Sequence, residues 1–453
     1  MSLTLTNNQA LIVDLYELTM AAGYWENDWN PNTTFEMFVR EMPPHRSFLV
    51  SAGLNQVIDF LLTINFNQDE IDFLKQLPSF KHVSNDFFEY LSKLSFSGDV
   101  WAIPEGQIFF PGEPLFRVTG PLIEAQIIET YLLSMLNFQT MVASKSARVV
   151  QAAGSDGKTR QVMEFGSRRA HGPEASVLAA RASYIAGCMG TSNVLAGKEF
   201  DIPVYGTAAH SWTLAFESEV EAFTAYHRVF PESTVLLIDT YDVEQGVKNA
   251  IKLGKNFDGV RIDSGDLLKH SKRVRRILDE NGYENAIIVA SGDLNEYKIK
   301  DLIEKKAPID SFGVGTQMVT SEDAPSLGGI YKMVEIEKDG KAQFKAKFSE
   351  DKATYPGKKQ VYRIVDEEGN YVKDVIGLNG DQIPEKHITL LQGIIKNGQL
   401  VYEWPELKTI QDNFLENLKR LDQKYNRFEK TEVYPIRYSE NIQQLFNELK
   451  DKN

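Results

Sequence analysis

The chain has a single cysteine, Cys188, which excludes an intrachain disulfide and a zinc site built from cysteines. Its first 30 residues contain no arginine or lysine and no long apolar run, so we expect no secretory signal. No stretch of 18 uninterrupted apolar residues occurs, and a membrane span is therefore not expected. Blocks of basic residues are missing as well. These absences favour a cytoplasmic protein of the enzyme type.

The composition is that of an ordinary folded protein. Of the 453 residues, 42% are hydrophobic and 25% are charged, which excludes wholesale disorder, and the length favours two or three domains. Lysine and arginine total 49 against 63 aspartates and glutamates, giving a net charge of −14. An acidic chain of this kind is poorly suited to nonspecific binding of nucleic acid or anionic lipid. An anionic substrate must therefore meet positive charge that is concentrated locally.

Three regions differ in their sequence pattern. Residues 1–122 mix helix signals with short alternating runs, and residues 331–453 combine hairpin turns with two charged helices. Residues 123–330 begin with a proline-free helical stretch and then repeat an apolar run followed by an amphipathic segment. This βα rhythm predicts an α/β fold with a parallel sheet or barrel. The predicted strands are 161–165, 202–206, 234–238, 259–262, 286–290 and 310–314.

Polar residues follow every one of these predicted strands. The carboxyl ends of parallel strands meet at one edge of the sheet, where the loops carry the chemistry. Six consecutive strand ends rich in glycine, aspartate, arginine, histidine, serine or threonine therefore indicate one polar cavity. The segments concerned are 164–169, 206–211, 239–242, 261–266, 291–295 and 313–316.

Cationic and backbone donors in these segments suit an anionic ligand. Arg168, Arg169 and Arg261 carry forked donors that match phosphate or carboxylate oxygens, although Arg169 equally suits a structural ion pair. The Gly-Val-Gly-Thr segment at 313–316 can present bare N–H groups to a phosphate, aided by the Thr316 hydroxyl.

Four aspartates add oxygen ligands to the same predicted edge. Asp239, Asp242, Asp263 and Asp266 can bind ribose hydroxyls or a hard cation such as Mg²⁺, which usually bridges to substrate phosphates. The alternative is that some of them cap the next helix, and for Asp266 that alternative is at least as strong.

His210 is the residue in the predicted cavity best suited to chemistry. It lies in a Thr-Ala-Ala-His-Ser segment, whose small residues leave room around the imidazole. An imidazole that titrates near neutral pH can act as a base, a metal ligand or a nucleophile. His171 competes with it, but its place just before Pro173 suits a solvent-facing or capping position. No other histidine ends a predicted strand, which counts against a barrel metallohydrolase.

Two aromatic residues can complete a slot for a flat ring. Phe165 directly precedes a Gly-Ser-Arg turn, and Tyr16 lies in an early predicted helix. A heterocycle stacks well between two aromatic faces. Composition alone equally allows Tyr16 as a half-buried helix residue and Phe165 as a core residue.

The chain resembles the nicotinate phosphoribosyltransferase family. Matching segments run in family order over nearly the whole chain, and as a set they are highly specific. They are Asp-Leu-Tyr-Glu-Leu-Thr-Met at 14–20, Glu-Phe-Gly-Ser-Arg-Arg-Ala at 164–170, Gly-Thr-Ala-Ala-His-Ser at 206–211, Val-Arg-Ile-Asp-Ser-Gly-Asp at 260–266, Phe-Gly-Val-Gly-Thr at 312–316, Pro-Ser-Leu-Gly-Gly-Ile-Tyr-Lys at 325–332 and Tyr-Pro-Gly-Lys-Lys-Gln-Val-Tyr-Arg at 355–363.

The resemblance implies the fold of type II phosphoribosyltransferases. In that class an irregular α/β barrel stands beside a second α+β domain assembled from both chain ends. Applied to this chain, an N-terminal domain over 1–122 packs with a C-terminal segment over 331–453, and residues 123–330 form the catalytic barrel. Family members are often homodimers with shared sites, so we expect a homodimer; a shared site would allow Tyr16 to act across the interface, and the sequence does not decide whether it does.

The resemblance also implies a reaction. The family joins nicotinate to 5-phosphoribosyl 1-diphosphate, releases diphosphate and forms nicotinate mononucleotide, the first step of NAD synthesis from nicotinate. It couples this transfer to ATP hydrolysis through a phosphorylated histidine, so ATP is expected as a cosubstrate and Mg²⁺ as the metal, with ligands that the sequence does not identify.

Residue roles follow from the same resemblance. His210 matches the phosphohistidine, and Asp263 matches a ribose- or metal-associated aspartate. Nicotinate is expected to contact Tyr16, Phe165, Thr207 and Arg261, and Arg168 and Thr316 match groups that hold the phosphoribosyl diphosphate. Gly313 and Gly315 are expected at the same phosphates because of their bare backbone N–H groups rather than from the resemblance. The chain departs from the family pattern at Gly292, where asparagine is expected, and it is shorter than many bacterial members.

Three alternatives remain open. A nicotinamide phosphoribosyltransferase shares the fold and the histidine, but selection of the amide is associated with an aspartate where this chain has Ser192. A quinolinate-using relative calls for extra basic residues and no ATP-linked histidine. A noncatalytic protein that keeps the barrel is the third reading, and it predicts that replacing His210 leaves the protein's role intact.

Overall fold

The computed structural model describes residues 9–254, 257–348, 353–428 and 432–452. The chain divides into two compact units, one formed by residues 142–325 and the other by the segments before and after that range. The second unit is thus assembled from both chain ends, as the resemblance implies. The divisions at 141/142 and 325/326 differ from the sequence-based positions at 122/123 and 330/331.

The N-terminal segment alternates helices with short strands. Helix α3 shows why these elements start where they do, because the Asn67 side chain accepts the Glu70 N–H and the Glu70 carboxylate accepts the Asn67 N–H. The elements are α1 (Leu15–Glu26), β1 (Asn32–Val39), β2 (Leu49–Val50), α2 (Leu54–Thr63), α3 (Gln68–Gln76), α4 (Asn85–Ser92), β3 (Asp99–Ala102), β4 (Ile108–Phe109), β5 (Pro114–Pro121), α5 (Leu122–Gln126) and α6 (Glu129–Ala153).

Helix α6 explains why the first division is invisible in the sequence. It continues through residue 141 without a proline or a loop, so no change of composition marks the point where one unit ends. The predicted long helical stretch is two helices, α5 and α6.

The central unit contains a parallel sheet in the order β7-β6-β11-β10-β9-β8, with helices between its strands. The end strands β7 and β8 do not pair with each other within the described residues, so the barrel is irregular there. This confirms the predicted fold class. The elements are β6 (Gln161–Glu164), α7 (Pro173–Ile185), β7 (Gly190–Thr191), α8 (Val194–Phe200), α9 (His210–Leu214), α10 (Glu219–Val229), β8 (Val235–Leu237), α11 (Val243–Ile251), β9 (Gly259–Ile262), α12 (Leu267–Glu280), β10 (Ile287–Ala290), α13 (Glu296–Glu304), β11 (Ser311–Val314) and α14 (Thr316–Val319).

One predicted strand, over 202–206, is wrong. The structure has only an isolated bridge there, between Val204 and Thr191, and the place beside β6 belongs to the two-residue strand β7. Pro203 has no N–H to donate to a ladder, and Val204 is 49% exposed, so the apolar run is not a buried strand.

The C-terminal segment supplies strands to the unit built from both chain ends. An antiparallel sheet has the order β13-β12-β1-β5-β3-β17-β18, and a smaller sheet, in which β15 and β19 are parallel, has the order β16-β14-β15-β19. The elements are β12 (Gly329–Lys338), β13 (Lys341–Phe344), β14 (Lys359–Val365), β15 (Tyr371–Leu378), β16 (His387–Thr389), β17 (Gln392–Lys396), β18 (Gln399–Leu400), α15 (Leu407–Arg420), β19 (Ile436–Tyr438) and α16 (Glu440–Lys452). No helix within the described ranges is long and apolar enough to cross a bilayer.

A buried ion pair links β14 to β15 in this unit. Arg363 and Asp374 are both 0% exposed, and Arg363 Nη2 lies 2.6 Å from Asp374 Oδ2. The guanidinium also donates to the Ile108 carbonyl at 2.9 Å, and the Tyr434 hydroxyl donates to Asp374 at 3.0 Å. Burial, followed by the charge of Asp374, raises the pKa of the neighbouring Glu113 carboxyl, which favours its neutral form.

Replacing Arg363 with alanine should strongly destabilise the protein. The change leaves the Asp374 carboxylate buried without its cation, which typically costs about 3–5 kcal/mol. Urea denaturation measures the loss in the free energy of unfolding. Lys408→Ala is the control, because Lys408 pairs with Asp412 on the exposed face of α15 and should change stability by less than about 1 kcal/mol. Equal destabilisation by the two variants would contradict this account.

Candidate active site

A cavity of about 280 Å³ opens at the carboxyl edge of the parallel sheet. Its walls come from the turn after β6, the loop after β7, the segment before α9 and the end of β9. The cavity brings together these residues that the sequence predicted for the site: Phe165, Arg168, Thr207, His210, Arg261 and Asp263.

Arg261 is the centre of a hydrogen-bond network in this cavity. Its Nη2 donates to Asp263 Oδ1 at 2.7 Å, its Nη1 donates to the Thr207 hydroxyl at 2.8 Å, and its Nε donates to Ser291 Oγ at 2.8 Å. The Ser291 hydroxyl in turn donates to Asp263 Oδ1 at 2.5 Å. Ser291 is almost fully buried, and we did not assign it a role from the sequence.

The environment of Asp263 keeps it ionised. Burial opposes the charge, but hydrogen bonds from Ser291 and Arg261 and the proximity of His210 outweigh it, so the pKa of the Asp263 carboxyl is lowered. Asp263 is therefore a fixed negative charge beside the arginine.

His210 is the first residue of helix α9, and its side chain lines the cavity. Its Nε2 lies 3.9 Å from Asp263 Oδ2, and its Nδ1 lies 3.1 Å from the Thr240 hydroxyl. The imidazole is 40% exposed and thus accessible to a ligand. The tautomer with its proton on Nε2 would direct that proton toward the carboxylate and leave Nδ1 to accept the hydroxyl hydrogen of Thr240. His171 is exposed and does not line the cavity.

Asp239 supports the same cluster from the loop after β8. Its Oδ2 accepts the Asp263 N–H at 2.9 Å and the Ser264 hydroxyl at 2.6 Å. Its Oδ1 is buried, and no hydrogen bond reaches it from any described residue. A buried carboxylate oxygen in this position suits a cation or a ligand hydroxyl.

The other two predicted aspartates cap helices. The Asp242 side chain accepts the Gln245 N–H at 2.8 Å, and the Asp266 side chain accepts the Lys269 N–H at 3.0 Å. They therefore form the N-caps of α11 and α12. Within the described residues, no group of three or more histidine, cysteine, aspartate or glutamate side chains is arranged to hold a metal ion.

Phe165 lies against the glycines of β11 and its turn. A Cβ on Gly313 would come within 2.4 Å of the Phe165 ring, and one on Gly315 within 3.1 Å of the Phe165 carbonyl oxygen. The Arg261 guanidinium carbon lies 5.7 Å from the centre of the same ring. Gly313, Gly315 and the first residue of α14, Thr316, do not line the cavity, so their binding of phosphate stays a prediction.

Tyr16 belongs to the unit built from both chain ends. It lies on α1 and is 46% exposed. Partial burial, followed by the Glu129 and Glu17 carboxylates, raises the pKa of its hydroxyl. Its contact with nicotinate stays a prediction.

Comparison with known proteins places this geometry in one family. The family model described as "Nicotinate phosphoribosyltransferase (NAPRTase) family" matches residues 160–374, and models of the N-terminal and C-terminal domains of that enzyme match residues 11–137 and 383–446. A Mycobacterium tuberculosis nicotinate phosphoribosyltransferase is 42% identical, covering 96% of this chain and 92% of its own. The Bacillus subtilis enzyme is 38% identical, covering 98% and 96%. The crystal structure of human nicotinic acid phosphoribosyltransferase has a TM-score of 0.83 and 28% identity, covering 96% of this chain and 99% of the human one. The chain belongs to the nicotinate phosphoribosyltransferase family.

Proposed function

We propose that the protein transfers the phosphoribosyl group of 5-phosphoribosyl 1-diphosphate to nicotinate, releasing diphosphate. The observation that carries this proposal is the convergence of Phe165, Arg261, Asp263 and His210 on one cavity. The purified protein incubated with both substrates should form nicotinate mononucleotide and diphosphate. A protein that forms neither product would contradict the proposal and favour a noncatalytic role.

The cavity supplies orientation for the nicotinate ring. Phe165 offers an aromatic face, and three of the five N–H groups of Arg261 already donate within the protein. One N–H remains on each of Nη1 and Nη2, and together they match the two oxygens of a carboxylate. The ring nitrogen attacks the anomeric carbon as the bond to diphosphate breaks, and this nucleophile needs alignment more than activation.

Charge on the leaving diphosphate requires cationic and polar donors. Arg168 is exposed in the turn after β6 and lines the cavity. Its guanidinium can bind diphosphate oxygens more strongly as negative charge develops on them, which lowers the barrier rather than merely tightening ground-state binding.

Mg²⁺ fits the carboxylates of this site. Asp239, with its unpartnered buried oxygen, and Asp263 would hold the ion together with substrate phosphate oxygens. The bound ion would stabilise negative charge on the diphosphate.

We further propose that ATP phosphorylates His210. In the tautomer with its proton on Nε2, toward Asp263, the accessible imidazole has Nδ1 as its basic nitrogen, and Nδ1 can form a bond to the γ-phosphorus of ATP while ADP leaves. The phosphoryl group adds negative charge beside Arg261 and thereby changes how tightly substrates and products bind. Hydrolysis of the phosphohistidine to phosphate would then drive the equilibrium toward the mononucleotide.

We also propose a cytoplasmic homodimer. Three apolar side chains on one helix of the chain-end unit, Leu15, Tyr16 and Met20, are 50%, 46% and 38% exposed, which suits contact with a second copy. Cys188 is the single cysteine, so the fold uses no intrachain disulfide, which suits a reducing compartment.

Ser192 favours the acid over the amide as substrate. It lines the cavity and has no charge that would repel the nicotinate carboxylate. Ser192→Asp should raise the KM for nicotinate at least about tenfold relative to nicotinamide, because a juxtaposed like charge costs more than about 1.4 kcal/mol. Steady-state rates with each pyridine measure the effect.

Ser192→Asn is the matched control, since it adds the same bulk without a charge. Its preference for nicotinate should stay close to that of the wild type. If both variants change the preference equally, charge at position 192 does not set the choice of pyridine.

A further inference from the structure

Glu164 is a buried carboxylate with neutral hydrogen-bond partners at the end of β6. The residue is 0% exposed, its Oε2 accepts the Thr191 hydroxyl at 2.5 Å, and its Oε1 accepts the Gly166 N–H. Among the described residues, no lysine, arginine or histidine forms an ion pair with it. Burial raises the pKa of this carboxyl, while the two hydrogen bonds oppose the rise.

One side of Glu164 fixes the turn that carries Phe165 and Arg168. Gly166 lies between these two residues, and its N–H is bound by the carboxylate. A Cβ on Gly166 would come within 2.3 Å of a Val319 methyl group and 3.0 Å of Glu164 Oε1, so the turn is tightly enclosed. A shift of the carboxylate would therefore move the turn.

The other side of Glu164 fixes the loop that carries Ser192. The Thr191 hydroxyl donates to Glu164 and accepts the Asn193 N–H at 2.9 Å, while the Ser192 N–H donates to the Glu164 carbonyl at 3.0 Å. Asn193 then caps α8 by accepting the Ala196 N–H at 3.0 Å. Ser192 is consequently held through its own N–H on the Glu164 carbonyl and through Thr191, which contacts the Glu164 carboxylate and also binds the Asn193 N–H.

We propose that Glu164 and Thr191 are positioning residues that set the spacing between the two walls of the nicotinate pocket. One wall carries Phe165 and Arg168, the other carries Ser192, and the hydrogen-bonded carboxylate joins them. This inference rests on the proposed function, since it assigns the pocket to the pyridine ring. Two hydrogen bonds to the two oxygens of one buried side chain fix its orientation, which suits a role in alignment.

Thr191→Val tests the inference, because valine keeps the shape of threonine and removes the hydroxyl. Misalignment of the ring should lower kcat/KM for nicotinate roughly 10- to 100-fold, mainly through KM, while the KM for 5-phosphoribosyl 1-diphosphate changes less than about twofold. Thr191→Ser restores the hydroxyl and should recover most of the nicotinate affinity. Glu164→Gln, which replaces one acceptor oxygen with a donor, should raise the KM for nicotinate and also that for 5-phosphoribosyl 1-diphosphate, because the turn that Glu164 holds carries both Phe165 and Arg168.

Thermal unfolding of each variant separates alignment from stability. The inference is overturned if Thr191→Val and Glu164→Gln keep the wild-type KM for nicotinate, or if both KM values of Thr191→Val rise together in proportion to lost stability. Rescue by Thr191→Ser with a selective nicotinate defect in Thr191→Val supports it. A wild-type protein that forms no mononucleotide would instead contradict the proposed function, and this inference with it.

Discussion

Arg261→Lys should lower kcat/KM for nicotinate about 10²- to 10³-fold, the loss typical for removal of a preorganised donor in an active site. Lysine keeps the charge but presents it as a single point. It cannot contact Asp263, Thr207 and Ser291 together while keeping two N–H groups for a carboxylate. Initial rates over a range of both substrate concentrations measure the effect.

Arg273→Lys is the control for this prediction. Arg273 lies on α12 of the same unit, is 47% exposed and pairs with Glu244 away from the cavity. Its replacement should change kcat/KM less than about twofold, as expected of a surface ion pair. The role assigned to Arg261 would be wrong if Arg261→Lys behaved like the control.

His210→Ala should abolish the effect of ATP on the position of the reaction. With the wild type, ATP hydrolysis should raise the ratio of mononucleotide to nicotinate, and each 1.4 kcal/mol that is coupled raises it about tenfold. Without the imidazole no phosphoryl group can be taken up, so the ratio should be the same with and without ATP. Transfer from 5-phosphoribosyl 1-diphosphate should persist at a reduced rate, because Phe165 and Arg261 remain.

His171→Ala is the matched control, because His171 is exposed and does not line the cavity. It should keep the full response to ATP. A His210→Ala protein in which ATP still raises the product ratio would remove His210 from the coupling step.

The sequence predicts the parallel sheet well because its strands are short apolar runs separated by amphipathic helices. β9 is predicted to the residue, and β6, β8, β10 and β11 within one or two residues of their ends. The exception over 202–206 shows the limit of that signal. An apolar run with a proline and an exposed valine has the composition of a strand without the pairing.

Which side chains of the site lie next to one another depends on strand order, and the sequence does not reveal that order. β9 pairs in parallel with β10 in a register that matches Ile262 to Ala290, so the next residues in line are Asp263 and Ser291. On the other side β9 pairs with β8 and matches Arg261 to Leu237, which brings Asp239 toward Asp263. The sequence therefore does not mark Ser291 and Thr240 as site residues, because their contacts follow from the order of the neighbouring strands.

The sequence alone does not identify Glu164 as a positioning residue. In the sequence it is one polar residue among several at the end of β6, and its partner Thr191 belongs to a two-residue strand with no sequence signal. Gly313 illustrates the converse. The sequence suggests a phosphate-binding backbone, and the structure gives the residue a further reason to be glycine, because the Phe165 ring occupies the place of a side chain.

Phosphorylation of the His210 imidazole by the terminal phosphoryl group of ATP is the step on which the proposed ATP coupling depends. Incubation of the wild-type protein with ATP labelled at the γ-phosphorus, followed by peptide mapping under alkaline conditions, tests it directly. The account predicts acid-labile phosphate on the peptide that contains His210, and its loss when nicotinate and 5-phosphoribosyl 1-diphosphate are added. Absence of label, or label on another residue, would contradict it.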